Sequence, residues 1–346
     1  MRFLVVHPAP AFSVADVYAG WVEALQELGQ QVATFNLDDR LALYDAALVE
    51  VGRDPITNEL RLRKALTSTQ AVRLAAQGLL SETYKVWPDV ILVISGFFID
   101  GPMLDLLRSR RHRVVLVHTE EPYEHARQLN LSRHADLTVL NDPTNLERYQ
   151  AEGLQAMYLP HAYRPSVHTP GPAEPDLECD LCFVGTGYPS RVRFLEQMDL
   201  AELDVLLAGN WEHLADTSPL RGFVAHDPAE CLDNTQAVRI YRSARLGLNL
   251  YRREADPGQE VGFAMGPREV ELAATGCFFL RDPRPEGDQI LPMLPTFTTP
   301  SEASEMTRWW LAHPTQRQAA AAAARVAVAD RTFTANAAAL LRLLDP

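Results

Sequence analysis

The stretch GPREVELAATGCFFL, residues 266–280, reads as a short helix running straight into an apolar strand. Pro267 suits a first helical position, where its missing N–H costs nothing, and Gly276 suits a helix C-terminus. The strand CFFL has no polar break, so both its faces are expected to be covered, as in a parallel sheet. Yet the first two turns of the helix carry Arg268, Glu269 and Glu271. Charged groups at the mouth of such a unit fit an anion held by the helix dipole and its free N–H groups, with an ordinary solvated helix start as the plainer alternative.

The same alternation of apolar runs and helix-period segments fills both halves of the chain, the pattern of an α/β protein with parallel sheets. In the first half the runs are RFLVV, QVATFN, DVILVIS, RVVLVH, LTVL and AMYLP, with helices at 14–29, 65–85, 102–110 and 143–151 between them. Residues 40–64 are less regular and are expected to insert helix and loop. Residues 161–178, HAYRPSVHTPGPAEPDLE, are proline-rich and aperiodic, which marks a linker. The second half restarts with CDLCFVG, DVLLAG, GFVAH, LGLNLY, CFFLRD and TFTTP, and is helical from about 300 onward. Two Rossmann-like domains, 1–160 and 179–330, are therefore expected on either side of the 161–178 linker. If both sheets face one cleft, ligands would sit beyond the carboxyl ends of the strands.

The chain's 346 residues are comfortable for two domains, and 47% hydrophobic with 22% charged residues is ordinary for a soluble globular protein. The net charge of −13 comes from 45 acidic against 32 basic side chains. With no lysine cluster to offset it, that charge argues against nucleic acid and anionic membranes as partners. The N-terminal MRFLVVHPAP reads as a first buried strand rather than a signal peptide, and no run approaches the ~20 apolar residues of a membrane span. Of four cysteines, Cys179 and Cys182 have C-x-x-C spacing at a strand start, but neither Cys231 nor Cys277 completes a second pair. Zinc or redox chemistry is not expected there, and a reduced cytoplasmic protein is. Oligomeric state leaves no signature.

The strand ends of the second half carry a consistent set of residues. FVGTGYPSRVRF places Gly185, Thr186 and Gly187 after a strand and Arg191 in the helix that follows. LAGNW ends another strand with Asn210 and Trp211, and LNLYRR a third with Asn249 and Tyr251. Glycines allow close backbone approach, and arginine offers a bidentate fork for phosphate. Together with Arg268 and Glu271, these residues are read as one anionic-ligand site.

In the order FVGTGYPSR, AGNW, LNLYR, GPREVELAATGCFFL and DRTFTANAAALLRLL, the second half resembles the CgeB-like glycosyltransferases. These are two-domain enzymes of the GT-B architecture, related to spore-coat maturation proteins and found in bacteria and phages. The resemblance covers residues 155–345; before that, only VLVHTEEPYE is similar. It implies that a nucleoside-diphosphate sugar, with UDP-hexose favoured, binds the second domain. Arg268 would neutralise the diphosphate and Glu271 would accept from the ribose hydroxyls. Glu269, on another helix face, is expected to be exposed. A terminal helix, 331–346, is expected to pack back on the first domain. Many retaining members carry a second glutamate eight residues before the ribose one, but Phe263 stands there, so a retaining outcome is not carried over.

Transfer without a metal needs the leaving diphosphate stabilised by arginines and backbone dipoles, which Arg191, Arg268 and the 185–187 loop would supply. No D-x-D motif is present, and neither metal nor cofactor is expected. An inverting enzyme also needs a base for the acceptor hydroxyl. Glu120, Asp16 and Asp100 follow strands of the first half and are the candidates, Glu120 first because Pro122 fixes the turn beyond it. A capping or surface role is the alternative for each. The acceptor is expected to be a hydroxyl of a polysaccharide, glycoconjugate or protein. A nucleotide-sugar epimerase of the same fold and a non-catalytic nucleotide-sugar-binding protein are the competing readings.

Overall fold

The computed structural model describes residues 1–7, 14–228 and 232–344. Cys231 therefore lies outside the described residues. By its contacts the chain divides into one unit of residues 1–119, 126–140 and 147–157, and a second of 120–125, 141–146 and 158–346.

The first unit carries strands β1 (Arg2–His7), β2 (Gln31–Asn36), β3 (Leu48–Arg53), β4 (Leu60–Lys64), β5 (Val90–Ile94), β6 (Arg113–Val117), β7 (Leu137–Leu140) and β8 (Ala156–Tyr158). Six of them form a sheet in the order β2-β1-β5-β6-β7-β8, with parallel pairing in every register resolved. Every residue of β5 is buried, as continuous Val-Ile-Leu runs require when helices cover both faces. Those helices are α1 (Ala15–Glu27), α2 (Leu37–Asp45), α3 (Ser68–Val86), α4 (Gly101–Ser109), α5 (His125–Ser132) and α6 (Leu146–Ala151). Leu79, Leu104 and Leu107 pack against Leu4, Ile91 and Val114 in one core. The expected helix-and-loop insertion at 40–64 differs in part. After α2, β3 and β4 pair antiparallel as a separate hairpin whose apolar side chains stay exposed.

The second unit has a smaller parallel sheet, β10-β9-β11-β12, of β9 (Leu181–Val184), β10 (Val205–Ala208), β11 (Gly247–Asn249) and β12 (Phe279–Arg281). Two expected strands contract to single bridges. GFVAH begins in the 3-10 turn Pro219–Phe223, and among the described residues its bridge is Val224 to Leu207, while TFTTP has Thr296 bridging Arg281. The helices are α7 (Pro189–Gln197), α8 (Asn234–Ser243), α9 (Pro267–Thr275), α10 (Pro285–Ile290), α11 (Pro300–Ala312), α12 (Pro314–Ala327) and α13 (Phe333–Leu344). Pro267 opens α9, and Gly276 closes it in the left-handed conformation at φ +80°. Leu272, Ala273, Phe278 and Phe279 bury that unit in the core of the sheet.

Residues 161–178, expected as a linker, are packed into the second unit. His168 is buried, Arg242 donates to the carbonyls of Val167 and Thr169, and the Glu174 N–H donates to Ser243 Oγ. The terminal helix α13, expected on the first domain, also belongs to the second unit, where Asn336 Nδ2 donates to the Pro160 carbonyl.

Candidate active site

Two guanidinium groups meet beneath the loop that ends β9. Arg268 Nε donates to the Val184 carbonyl, and its Nη1 donates to Asn249 Oδ1 at 3.3 Å. Arg191, from α7, donates to the carbonyls of Leu250 (2.9 Å) and Thr186 (3.1 Å). Both lie over the Phe183 ring, Arg268 at 4.9 Å and Arg191 at 5.5 Å from its centroid. Among the described residues no carboxylate pairs with either arginine. Burial, and next the Arg268 charge, push Arg191 below the usual guanidinium range. Two half-buried cations without a counter-ion make a strong site for a dianion.

The glycines set how closely this can be built. A Cβ at Gly185 would collide with Arg268 Nη2. Gly209, at φ +105°, turns the end of β10 so that its own Cβ position falls on the Gly185 backbone. Gly187 lies against the Trp211 ring and donates its N–H to the Asn210 carbonyl at 2.8 Å. Trp211 itself is a correction to its reading as a ligand residue. Its side chain is buried, edge-on to Phe183, with Nε1 donating to the Ala208 carbonyl, so it supports the loop from the core.

The N-terminus of α7 is not open to phosphate. Glu254 accepts from the Ser190 N–H and Ser190 Oγ, both at 2.8 Å, and so occupies the place an anion would take. The arginines and the N-terminus of α9 remain. Glu271, on α9, accepts from Asn234 Nδ2 at 3.1 Å, and the same amide nitrogen lies 3.1 Å from His168 Nε2. Asn234 opens α8 and fixes the Glu271 carboxylate; nothing in its local sequence marks that role.

Glu269 overturns its expected exposure. It is fully buried, accepting from the Gly266 N–H at 2.9 Å and from the Tyr251 hydroxyl. Helical spacing put it on a different face from Glu271, but β12, α10 and the loop between them cover that face. Tyr251 is thereby enclosed, with the Arg284 guanidinium 4.1 Å above its ring centroid.

The three base candidates part company. Asp100 is the N-cap of α4, accepting from the Met103 N–H, so the capping reading describes it. Asp16 stands in the first turn of α1, after β1. Glu120 falls in the second unit, where Arg252 Nη2 donates to its carboxylate at 2.6 Å. Burial pulls Arg252 down, but Glu120, Tyr188 and Glu124 outweigh it and raise it overall. Arg252 also stacks at 4.6 Å over Tyr123, and the Tyr123 carbonyl accepts from the Asp256 N–H. Asp142 Oδ2 accepts from the Ala264 N–H, and Thr144 Oγ1 from the Phe263 N–H. Segments 120–125 and 141–146 are thus hydrogen-bonded to the loop that leads into α9.

Residues 191–342, somewhat under half of the chain, match the sequence profile of a family described as glycosyl transferase-like. No curated protein sequence matches the chain. Among solved structures it is similar to OtsA, a trehalose-6-phosphate synthase, with a TM-score of 0.66, 12% identity and 99% of each chain covered. It is similar to the sucrose-phosphate synthase of Thermosynechococcus elongatus, with a TM-score of 0.64, 14% identity and 99% of each chain covered. Anabaena HepE in complex with UDP-glucose gives a TM-score of 0.59 at 10% identity, over 99% of this chain and 100% of that one. The chain has the GT-B fold of two Rossmann-like domains. Among the described residues no helix is long and apolar enough to cross a membrane.

Proposed function

We propose that this protein is a glycosyltransferase that draws a hexose from a UDP-hexose and passes it to a hydroxyl of a surface polymer, glycoconjugate or protein. The observation that carries the reading is the pair Arg191 and Arg268, half-buried over Phe183 beside the N-terminus of α9 with no carboxylate partner among the described residues. Their charge matches a diphosphate. As the bond from the anomeric carbon to the diphosphate oxygen breaks, negative charge grows on that oxygen, and the two guanidiniums stabilise it. Glu271, held by Asn234, takes the ribose hydroxyls. With two cations in place the departing diphosphate needs no metal, and metal-independent transfer is part of the proposal. The profile match on the second unit favours transfer over epimerisation, and a UDP-glucose complex among the similar folds favours uridine. CgeB-like kinship, read from the strand-end motifs, belongs to the same proposal.

Glu120 and Asp16 stand as candidates for the base that receives the acceptor proton. Glu120 already accepts a charge-assisted hydrogen bond from Arg252 Nη2, so taking the acceptor proton would compete with that bond. The test is UDP release from a panel of UDP-hexoses offered with glycan and protein acceptors, with and without EDTA. Acceptor-dependent release that survives EDTA is expected. Acceptor-independent binding without release would favour the non-catalytic reading, and release abolished by EDTA would remove metal independence.

A further inference from the structure

Glu269 is a charged side chain folded into the second unit's core, next to the proposed diphosphate site, and no part of the transfer chemistry uses it. Its Oε2 and the Tyr251 hydroxyl oxygen both accept from one donor, the Gly266 N–H, at 2.9 and 2.8 Å. Gly266 is the N-cap of α9, and Arg268 is the second residue of that helix. A residue that fixes the N-cap fixes the direction of the helix's first N–H groups and the origin of the Arg268 side chain. The other oxygen, Oε1, is buried with no partner among the described residues, as are Nε and Nη1 of Arg281 and of Arg284 nearby. This is a carboxyl group whose surroundings satisfy it only in part.

We propose that Glu269 is a positioning residue for the donor diphosphate, clamping Gly266 together with Tyr251 and so holding the first turn of α9 and Arg268 in their binding geometry. The inference rests on the diphosphate site proposed above. The groups facing the carboxyl are Tyr251 from the end of β11, Arg281 from β12, Arg284 from the turn after it, and Gly287 of α10. Behind them, Asp288 pairs with Arg281, Asp282 accepts from the Tyr251 N–H, and Glu286 accepts from the Met265 N–H. Burial raises the Glu269 carboxyl to about 7, while the Tyr251 and Gly266 hydrogen bonds and the two arginines pull the other way. Burial, and next Glu269 itself, push Tyr251 well above its ordinary value, so the hydroxyl stays protonated.

A diphosphate arriving beside this carboxyl favours its neutral form, so donor affinity is higher below neutrality and falls as Glu269 ionises. The test titrates UDP-glucose, whose esterified diphosphate does not itself ionise near neutral pH, into the full chain from pH 6 to pH 9. In the wild type the dissociation constant is expected to rise by about tenfold through the neutral region, the scale of a one-unit coupling. Glu269→Gln keeps an acceptor for Gly266 and removes the inflection. Tyr251→Phe deletes a hydrogen bond that lowers the carboxyl, so its inflection moves to higher pH; this variant also serves if Glu269→Gln folds poorly. A flat wild-type profile, or an inflection that persists in Glu269→Gln, overturns the inference while leaving the diphosphate site standing. Absence of UDP-glucose binding in the wild type overturns both.

Discussion

Replacing Arg268 with alanine separates phosphate recognition from nucleoside recognition. A guanidinium has five N–H donors. In Arg268, Nε–H is used on the Val184 carbonyl and one Nη1–H on Asn249 Oδ1, leaving three donors, two of them on the Nη2 that lies over Gly185. Those are the donors a diphosphate oxygen would meet. A hydrogen bond to a charged group contributes about 1.5–3 kcal/mol, so UDP affinity should fall roughly ten- to 150-fold. Uridine, which makes no phosphate contact, should lose no more than about threefold by the same reasoning. The alanine also leaves the Val184 carbonyl and Asn249 Oδ1 short of a donor, so the folded fraction must be checked by circular dichroism. Calorimetric titration of UDP and uridine into wild type and variant gives the ratio directly. Equal losses for the two ligands would refute the assignment, because a collapsed strand end harms both alike while a lost phosphate contact cannot.

Four further outcomes follow from the same geometry. Gly185→Ala should displace Arg268 Nη2 and weaken UDP binding more than uridine binding, measured in the same titrations, with both unchanged counting against the close approach. Glu271→Ala should weaken UDP more than its 2′,3′-dideoxy analogue, and an unchanged preference would remove Glu271 from the ribose. Glu120→Gln should keep UDP affinity within about twofold while lowering transfer by ~100-fold, the scale of general-base catalysis; if activity survives, Asp16→Asn is the next variant to assay. Finally, the Glu269 carboxyl is raised from 4.5 to about 7 in the folded chain, so it is protonated there while already ionised in the unfolded chain. Wild-type stability should therefore fall as pH rises between those values, by on the order of 3 kcal/mol, and level off above. Glu269→Gln should flatten that slope in chemical denaturation, and an unchanged slope would deny the burial cost.

The sequence made the regular parts legible because their signals are local. Uninterrupted apolar runs mark buried parallel strands, and Pro267 and Gly276 bracket α9 where the structure has it. The strand-end residues Gly185, Arg191, Asn249 and Arg268 come together because βα units of one sheet place their carboxyl ends side by side. Misreadings arose where partners are far apart in the chain. Arg252 and Glu120 are 132 positions apart, so nothing local shows that residues 120–125 leave the first unit. The face of α9 that carries Glu269 is solvent-facing only until α10 and β12 cover it. The prolines of 161–178 fit an extended strap packed on α8 as well as they fit a free linker, since both need only a chain without helix or ladder bonds. β3 and β4 mix charged and apolar side chains on a hairpin exposed on both faces, which erases the alternation that would have marked them.

The most direct test of the donor site is unfolding of the full chain with and without UDP or UDP-glucose, set beside the Arg191→Ala/Arg268→Ala double variant. A ligand at 100 times its dissociation constant stabilises by about 2.7 kcal/mol. The account predicts that stabilisation for the wild type with both ligands, and its loss in the double variant at the same concentrations. A wild type that no nucleoside diphosphate or its sugar stabilises, or a double variant stabilised as strongly as the wild type, would contradict a diphosphate site built from these two arginines.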